Sequence, residues 1–244
     1  VSGCLGDPNL YHLAMSNLGF QTVYDLMNRL DHVVCERAFP PGTDPEKARG
    51  IRSAESGRTL GQFDIVAFSI SFENDFPNIL SILKSANIPC HSNRRDERHP
   101  LVVAGGVAVF LNPEPVAPFF DLFFIGEAEG ILARFFEFFD PDAGRRENLL
   151  KIARDVPGIY VPSFYRASYG DDGVVSAFEP VAKVPEKIER VYAENISEFS
   201  TASTFMTGET AFSDSHLIEI SRGCPHGCRF CGAGFVYQIG RAHV

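Results

Sequence analysis

Phe63-Asp64-Ile65-Val66-Ala67-Phe68-Ser69-Ile70 is an almost continuous apolar run. A strand with one face in water alternates apolar and polar residues. A run like this one suits a strand buried on both faces, as in a parallel sheet covered by helices. Pro100-Leu-Val-Val-Ala-Gly105 and Asp121-Leu-Phe-Phe-Ile-Gly126 repeat the pattern. The stretch between the first two runs reads as a helix over Asp75–Ala86 and a charged loop over His91–His99. Upstream, Met15–Leu30 carries Leu18, Val23, Leu26, Met27 and Leu30 at helical spacing. Val33–Phe39 is a strand stopped by Pro40-Pro41, and Val1–Leu5 is a first strand. Residues 42–62 read as a polar loop. Glu127–Phe139 closes the series as a helix. Five β/α repeats over residues 1–140 predict an α/β domain with a flavodoxin-like, doubly wound parallel sheet in strand order 2-1-3-4-5.

Beyond this domain, residues 141–215 read as a linker. It begins with a helical stretch over 141–158. Gly158–Ser168 and Val174–Glu179 follow as the two arms of a β-hairpin around Gly170-Asp-Asp-Gly173. Residues 180–215 are a polar connector, and His216-Leu-Ile-Glu-Ile-Ser221 begins a further strand.

The 244 residues are 45% hydrophobic and 22% charged, ordinary for a globular chain. A net charge of −9 argues against a global preference for nucleic acid or an anionic membrane. No apolar run approaches the roughly 20 residues that span a bilayer. The 22 phenylalanines, with pairs at Phe119-Phe120, Phe123-Phe124, Phe135-Phe136 and Phe138-Phe139, read as core.

Cys224, Cys228 and Cys231 lie in Gly223-Cys-Pro-His-Gly-Cys-Arg-Phe-Cys-Gly232, a C-x3-C-x2-C pattern with Phe230 before the last cysteine. Three thiolates at this spacing can cap three irons of one [4Fe–4S] cube and leave the fourth open. An electron-transfer cluster normally uses four cysteines. The alternative is a binding or regulatory module with a zinc or redox cysteine cluster, His226 or His216 supplying a fourth ligand. Cys4, Cys35 and Cys90 are scattered, which suits reduced thiols inside a cell rather than a disulfide framework.

The motif resembles that of the radical S-adenosylmethionine (SAM) enzymes. With an α/β domain before it, the chain resembles their cobalamin-domain-containing members, in a poorly characterised branch. Met15-Ser-Asn-Leu-Gly-Phe20, Val34-Cys-Glu-Arg37, Gly105-Gly106, Gly126-Glu127 and Glu219-Ile-Ser-Arg-Gly-Cys224 carry that likeness. The resemblance implies an enzyme of the cytoplasm acting on a substrate that the sequence does not specify. A [4Fe–4S] cluster on Cys224, Cys228 and Cys231 would chelate SAM at its open iron. An electron from a donor such as flavodoxin or ferredoxin would then cleave a carbon–sulfur bond to start radical chemistry. Phe230 would shield one face of the cube, and Arg222 and Arg229 either offset its charge or are solvated.

Cobalamin is a further cofactor that the resemblance brings into view. Ser69, Ser71, Gly105 and Gly106 match the places where such domains cradle its nucleotide tail. A D-x-H-x-x-G loop after the first strand supplies the cobalt ligand in those domains. Set against His12, that pattern meets Leu10 in place of Asp and Met15 in place of Gly, so His12 is not expected to ligate cobalt.

Residues 216–237 then read as the start of a radical SAM (β/α) barrel, its first strand and cluster loop, the rest of which would lie beyond this chain. Ile239-Gly-Arg-Ala-His-Val244 is what a common short-read sequencing adapter encodes in one frame. Residues 238–244 are therefore expected to be a foreign tail, with no role for His243. Val1 in place of Met suggests a truncated N-terminus or an alternative start.

Overall fold

The computed structural model describes residues 1–40, 50–193, 195–199, 201–224, 226, 228–232 and 236–237, and the backbone alone of 241–242. The chain alternates strand and helix from its first residues. β1 (Ser2–Gly6) leads to a short α1 (Tyr11–Ala14) and to α2 (Leu18–Asn28), then β2 (Val34–Ala38). β3 (Ile65–Ser69) is followed by α3 (Phe76–Ser85), β4 (Leu101–Gly105) by α4 (Val107–Leu111), and β5 (Leu122–Phe124) by α5 (Ala128–Phe138). α6 (Arg145–Asp155) and β6 (Ile159–Tyr160) complete the layer.

The six strands order as β2-β1-β3-β4-β5-β6. The first five are parallel, in the expected order, and β6 pairs antiparallel to β5. Alternate side chains enter two cores. Leu5, Ile65, Leu101 and Val103 meet α2, α5 and α6 on one face. Cys4, Val66, Phe68, Val102 and Ala104 meet α3 and α4 on the other. Both faces are covered, which is why these strands read as continuous apolar runs. The paired phenylalanines are core: Phe120, Phe123 and Phe135 are almost wholly buried.

The single strand expected over Gly158–Ser168 is two. Gly158 turns at φ +75°, β6 joins the main sheet, and β7 (Tyr165–Tyr169) pairs with β8 (Val175–Pro180) as a separate hairpin. Tyr165 and Phe178 stack across that hairpin, ring centroids 5.3 Å apart. The strand expected over His216–Ser221 is mostly irregular. Ile218 bridges Ala202, and only Ser221–Arg222 (β9) forms a ladder, with Arg241–Ala242 (β10). The rest of the expected tail, 238–240 and 243–244, lies outside the described residues.

Candidate functional site

The carboxyl ends of β1, β3, β4 and β5 open onto a cavity of about 590 Å³. In an open α/β sheet this edge, at the point where strand order reverses, is where ligands sit. Here the reversal lies between β1 and β3. Ser69, Ser71, Gly105 and Gly106, read from the sequence as a cradle, all line the cavity, and so does Cys224. Their local roles differ. Ser71 Oγ accepts a hydrogen bond from Asn17 Nδ2 at 2.9 Å, while Asn17 Oδ1 caps α2 by accepting from Phe20 N. Gly106 has φ +108°, and a Cβ there would fall 2.3 Å from Ile70 O. Its freedom serves the turn from β4 into α4. A Cβ on Gly105 would meet only Phe124, at 3.6 Å.

The cysteine loop reaches this edge through two arginines. At its start, Arg222 is 12% exposed and sits among acids. Its guanidinium lies 2.7 Å from Glu129 Oε1, 2.7 Å from Glu219 Oε2 and 3.4 Å from Glu127 Oε2. Burial works against the charge, but the hydrogen bonds to Glu219 and Glu129 outweigh it and hold the Arg222 pKa above its ordinary value. Glu127 and Glu129 belong here because they open α5, where the helix dipole favours anions. Glu127 Oε2 also accepts from Ala193 N at 2.7 Å. Past the cysteines, Arg190 donates from Nη1 to Val236 O at 2.7 Å and from Nη2 to Phe110 O on α4 at 3.3 Å. Gly232 packs close to Leu111 at the end of α4.

Between these anchors, Cys224 and Cys231 are half-buried, Cys228 is exposed, and none is in a disulfide. Cys231 N donates to Cys228 O at 3.1 Å, closing a turn. Phe230 is 92% exposed. Among the described residues no three His, Cys, Asp or Glu side chains converge as a metal-ligand group. Three free thiols in eight residues fit an iron–sulfur cluster in donor chemistry, while the loop as folded does not gather them. Pro225 and Gly227 lie outside the described residues.

The structure moves the loop after the first strand. β1 ends at Gly6, so that loop begins at Asp7, three residues before the register set on His12. Asn9 stands two residues after the aspartate, where a cobalt-binding histidine would be. Asn9 N donates to Asp7 Oδ1 at 2.9 Å, and Asn9 Nδ2 bridges Asp7 Oδ1 and Asp75 Oδ2 at 3.2 and 3.1 Å. Burial, against those hydrogen bonds and with Asp75 adding to it, pushes the Asp7 pKa up to about 6. His12 is exposed on α1. Arg222 was read from the sequence as either offsetting cluster charge or solvated, and instead it pairs with Glu127, Glu129 and Glu219; Thr201 and the role of Glu129 escaped that reading. The pairing of Glu129 with Arg222 spans 93 residues, and no local pattern marks it.

Residues 19–162, more than half of the chain, match the sequence model of the family described as radical SAM proteins, N-terminal. An uncharacterised protein of Methanocaldococcus jannaschii, MJ0966, is 28% identical over 192 residues. The match covers 77% of this chain and 34% of that relative, so the chain spans about a third of its length. No solved structure matches. No helix among the described residues is long and apolar enough to cross a membrane. The chain belongs to the radical SAM proteins, matching the model of their N-terminal region.

Proposed function

We propose that this chain is the N-terminal part of a cytoplasmic radical SAM enzyme in which Cys224, Cys228 and Cys231 ligate one [4Fe–4S] cluster. The observation that carries the reading is the C-x3-C-x2-C spacing of three free thiols in a chain of this family. Such a cluster, when bound and reduced, supplies the electron that cleaves SAM; a small carrier such as a flavodoxin or ferredoxin would deliver it. The protein's own part is positioning. Arg222 and Arg190 fix the two flanks of the loop against α5 and α4, so the three sulfurs need move only within a tethered span. Phe230, exposed as the loop stands, would cover one face of the bound cube. Residues 1–140 carry the five parallel strands in this reading, 141–215 the connector, whose first part adds α6 and β6 to the sheet layer, and 216–237 the start of a catalytic barrel.

Cobalamin is supported less well. Ser69, Ser71, Gly105 and Gly106 line a cavity, but Asn9 replaces the ligand histidine and Gly106 is used by the turn. The residues present do not fit cobalt ligation, and no step is assigned to that cofactor.

The test is anaerobic reconstitution with iron and sulfide of the full-length protein, followed by iron and acid-labile sulfide analysis. Close to four irons and four sulfides per chain are expected on chemical grounds. Each of Cys224→Ala, Cys228→Ala and Cys231→Ala should lose most of them. Iron retained by any one variant removes that cysteine from the ligand set. Zinc in place of iron and sulfide would replace the reading with a structural cysteine site.

A further inference from the structure

The cavity at the carboxyl edge of the sheet has a mainly apolar wall. Leu5, Ile65, Val103, Leu132, Phe135 and Phe136 form its body. At about 590 Å³ it falls in the range of small-molecule sites, which runs from roughly 300 to 1,000 Å³. One polar atom in its wall lacks a partner. Thr201 is 7% exposed and lines the cavity, and its Oγ1, shielded just behind the wall, has no hydrogen-bond partner among the described residues. A buried hydroxyl left unpaired is costly, so such an atom marks a place for a ligand's polar group. The hydroxyl sits on the segment that roofs the cavity. Glu219 N donates to Thr201 O at 2.9 Å and Ser203 N to Leu217 O at 2.8 Å, fixing that roof.

Charge narrows the class of ligand. Among the described lining residues Arg222 is the cation, and its guanidinium already meets Glu127, Glu129 and Glu219. A carboxylate or phosphate entering here would find no uncommitted counter-charge and would approach three carboxylates. We propose that the cavity binds an uncharged, largely apolar small molecule with a single hydrogen-bonding end, which Thr201 meets by turning its hydroxyl into the cavity. Cys224 also reaches the wall, so the site is tested in the metal-free protein, where its outcome does not depend on iron binding.

The experiment uses the metal-free protein and the neutral fluorophore 1-aminoanthracene. Binding should saturate at one site per chain. Dodecan-1-ol should displace the probe, while dodecyl phosphate and hydroxocobalamin should need at least about tenfold higher concentration. Ala67 lies on β3 in the cavity wall. Ala67→Phe should fill the site and abolish probe binding, with circular dichroism reporting whether the fold is kept. Thr201→Val leaves the volume unchanged and should weaken dodecan-1-ol about fivefold, the loss of one hydrogen bond. Thr201→Ser should restore it. Absence of saturable binding, or unaltered binding in a folded Ala67→Phe variant, overturns the site. Displacement by dodecyl phosphate or hydroxocobalamin at or below the alcohol's concentration overturns the ligand class. An unchanged alcohol affinity in Thr201→Val overturns the assigned polar contact.

Discussion

Arg222 Nη2 lies 2.7 Å from Glu129 Oε1, joining the strand that leads into the cysteine loop to the first turn of the helix after β5. The pair is buried, and Glu219 and Glu127 complete the arginine's surroundings. A buried ion pair need not add net stability, but removing one partner leaves the other charges desolvated and uncompensated. Arg222→Leu should therefore cost about 3–5 kcal/mol in urea unfolding. Glu129→Gln, which keeps an acceptor oxygen, should cost less. Equal small effects for both would show that the cluster does not hold the loop.

Gly105 and Gly106 are adjacent in sequence and opposite in tolerance. A Cβ on Gly106 would collide with the backbone of Ile70, at a φ of +108° that side chains rarely adopt. Gly106→Ala should lose roughly 2–4 kcal/mol, from backbone strain and overpacking together. Gly105→Ala adds a methyl at ordinary contact distance from Phe124 and should change stability by less than about 1 kcal/mol. Thermal unfolding of the two variants side by side makes the comparison.

The difference between these neighbours also marks the limit of what the sequence carries. The runs at 63–70, 100–105 and 121–126 announce their strands because both faces of each are buried, and that burial is written residue by residue. Strand order followed from the repeat. The split of Gly158–Ser168 into β6 and β7 could not be read, since Ile159–Tyr160 is two residues long and no period marks where one strand stops. The cysteine spacing was visible because it is a local motif, and Ser69, Ser71, Gly105 and Gly106, singled out by resemblance, line one cavity. Arg222 was noticed, but not its partners, because an arginine in a polar stretch looks the same whether it is solvated or set against acids 93 and 95 residues earlier. Thr201 sat in what read as a connector, and only the folded chain places it in a cavity wall. The sequence reading set the first-loop pattern against His12 and expected no cobalt ligand there. The end of β1 at Gly6 makes Asp7 the first loop residue.

Asp7 gives a pH dependence with a definite sign. Its pKa is raised to about 6 in the folded protein, from an ordinary carboxylate value near 4 in the unfolded chain. The folded state therefore binds the proton more tightly. Stability falls as pH rises from about 4 to about 6, and the loss persists above that window. At neutral pH the penalty is on the order of 3 kcal/mol. Asp7→Asn cannot ionise and keeps an oxygen to accept from Asn9 N. It should be more stable than the parent at pH 7 by about 1–3 kcal/mol, with the advantage gone below about pH 4. Denaturant midpoints across pH 3.5–7.5 would reveal it, and a constant difference over that range would exclude Asp7 as the source.

The six cysteines fall into two chemical groups that a thiol reagent can separate. Cys4 and Cys35 are 0% and 2% exposed. Burial, the leading cause for both, pushes the Cys4 thiol far above its ordinary pKa and the Cys35 thiol up to about 12. A thiolate is the reactive form, so these two should resist iodoacetamide until the protein unfolds. Cys228 is exposed and should be alkylated first in the metal-free protein, with the half-buried Cys224, Cys231 and Cys90 following. Loading with iron and sulfide under anaerobic conditions should then suppress alkylation of Cys224, Cys228 and Cys231 together, because a thiolate bound to iron is no longer free to attack. Cys90 stands outside the loop and should keep its metal-free rate, serving as an internal control. Peptide mass spectrometry with timed quenching reads all six sites in one experiment. If Cys228 keeps its metal-free rate while iron is bound, the cluster is held by other residues and the three-cysteine assignment fails.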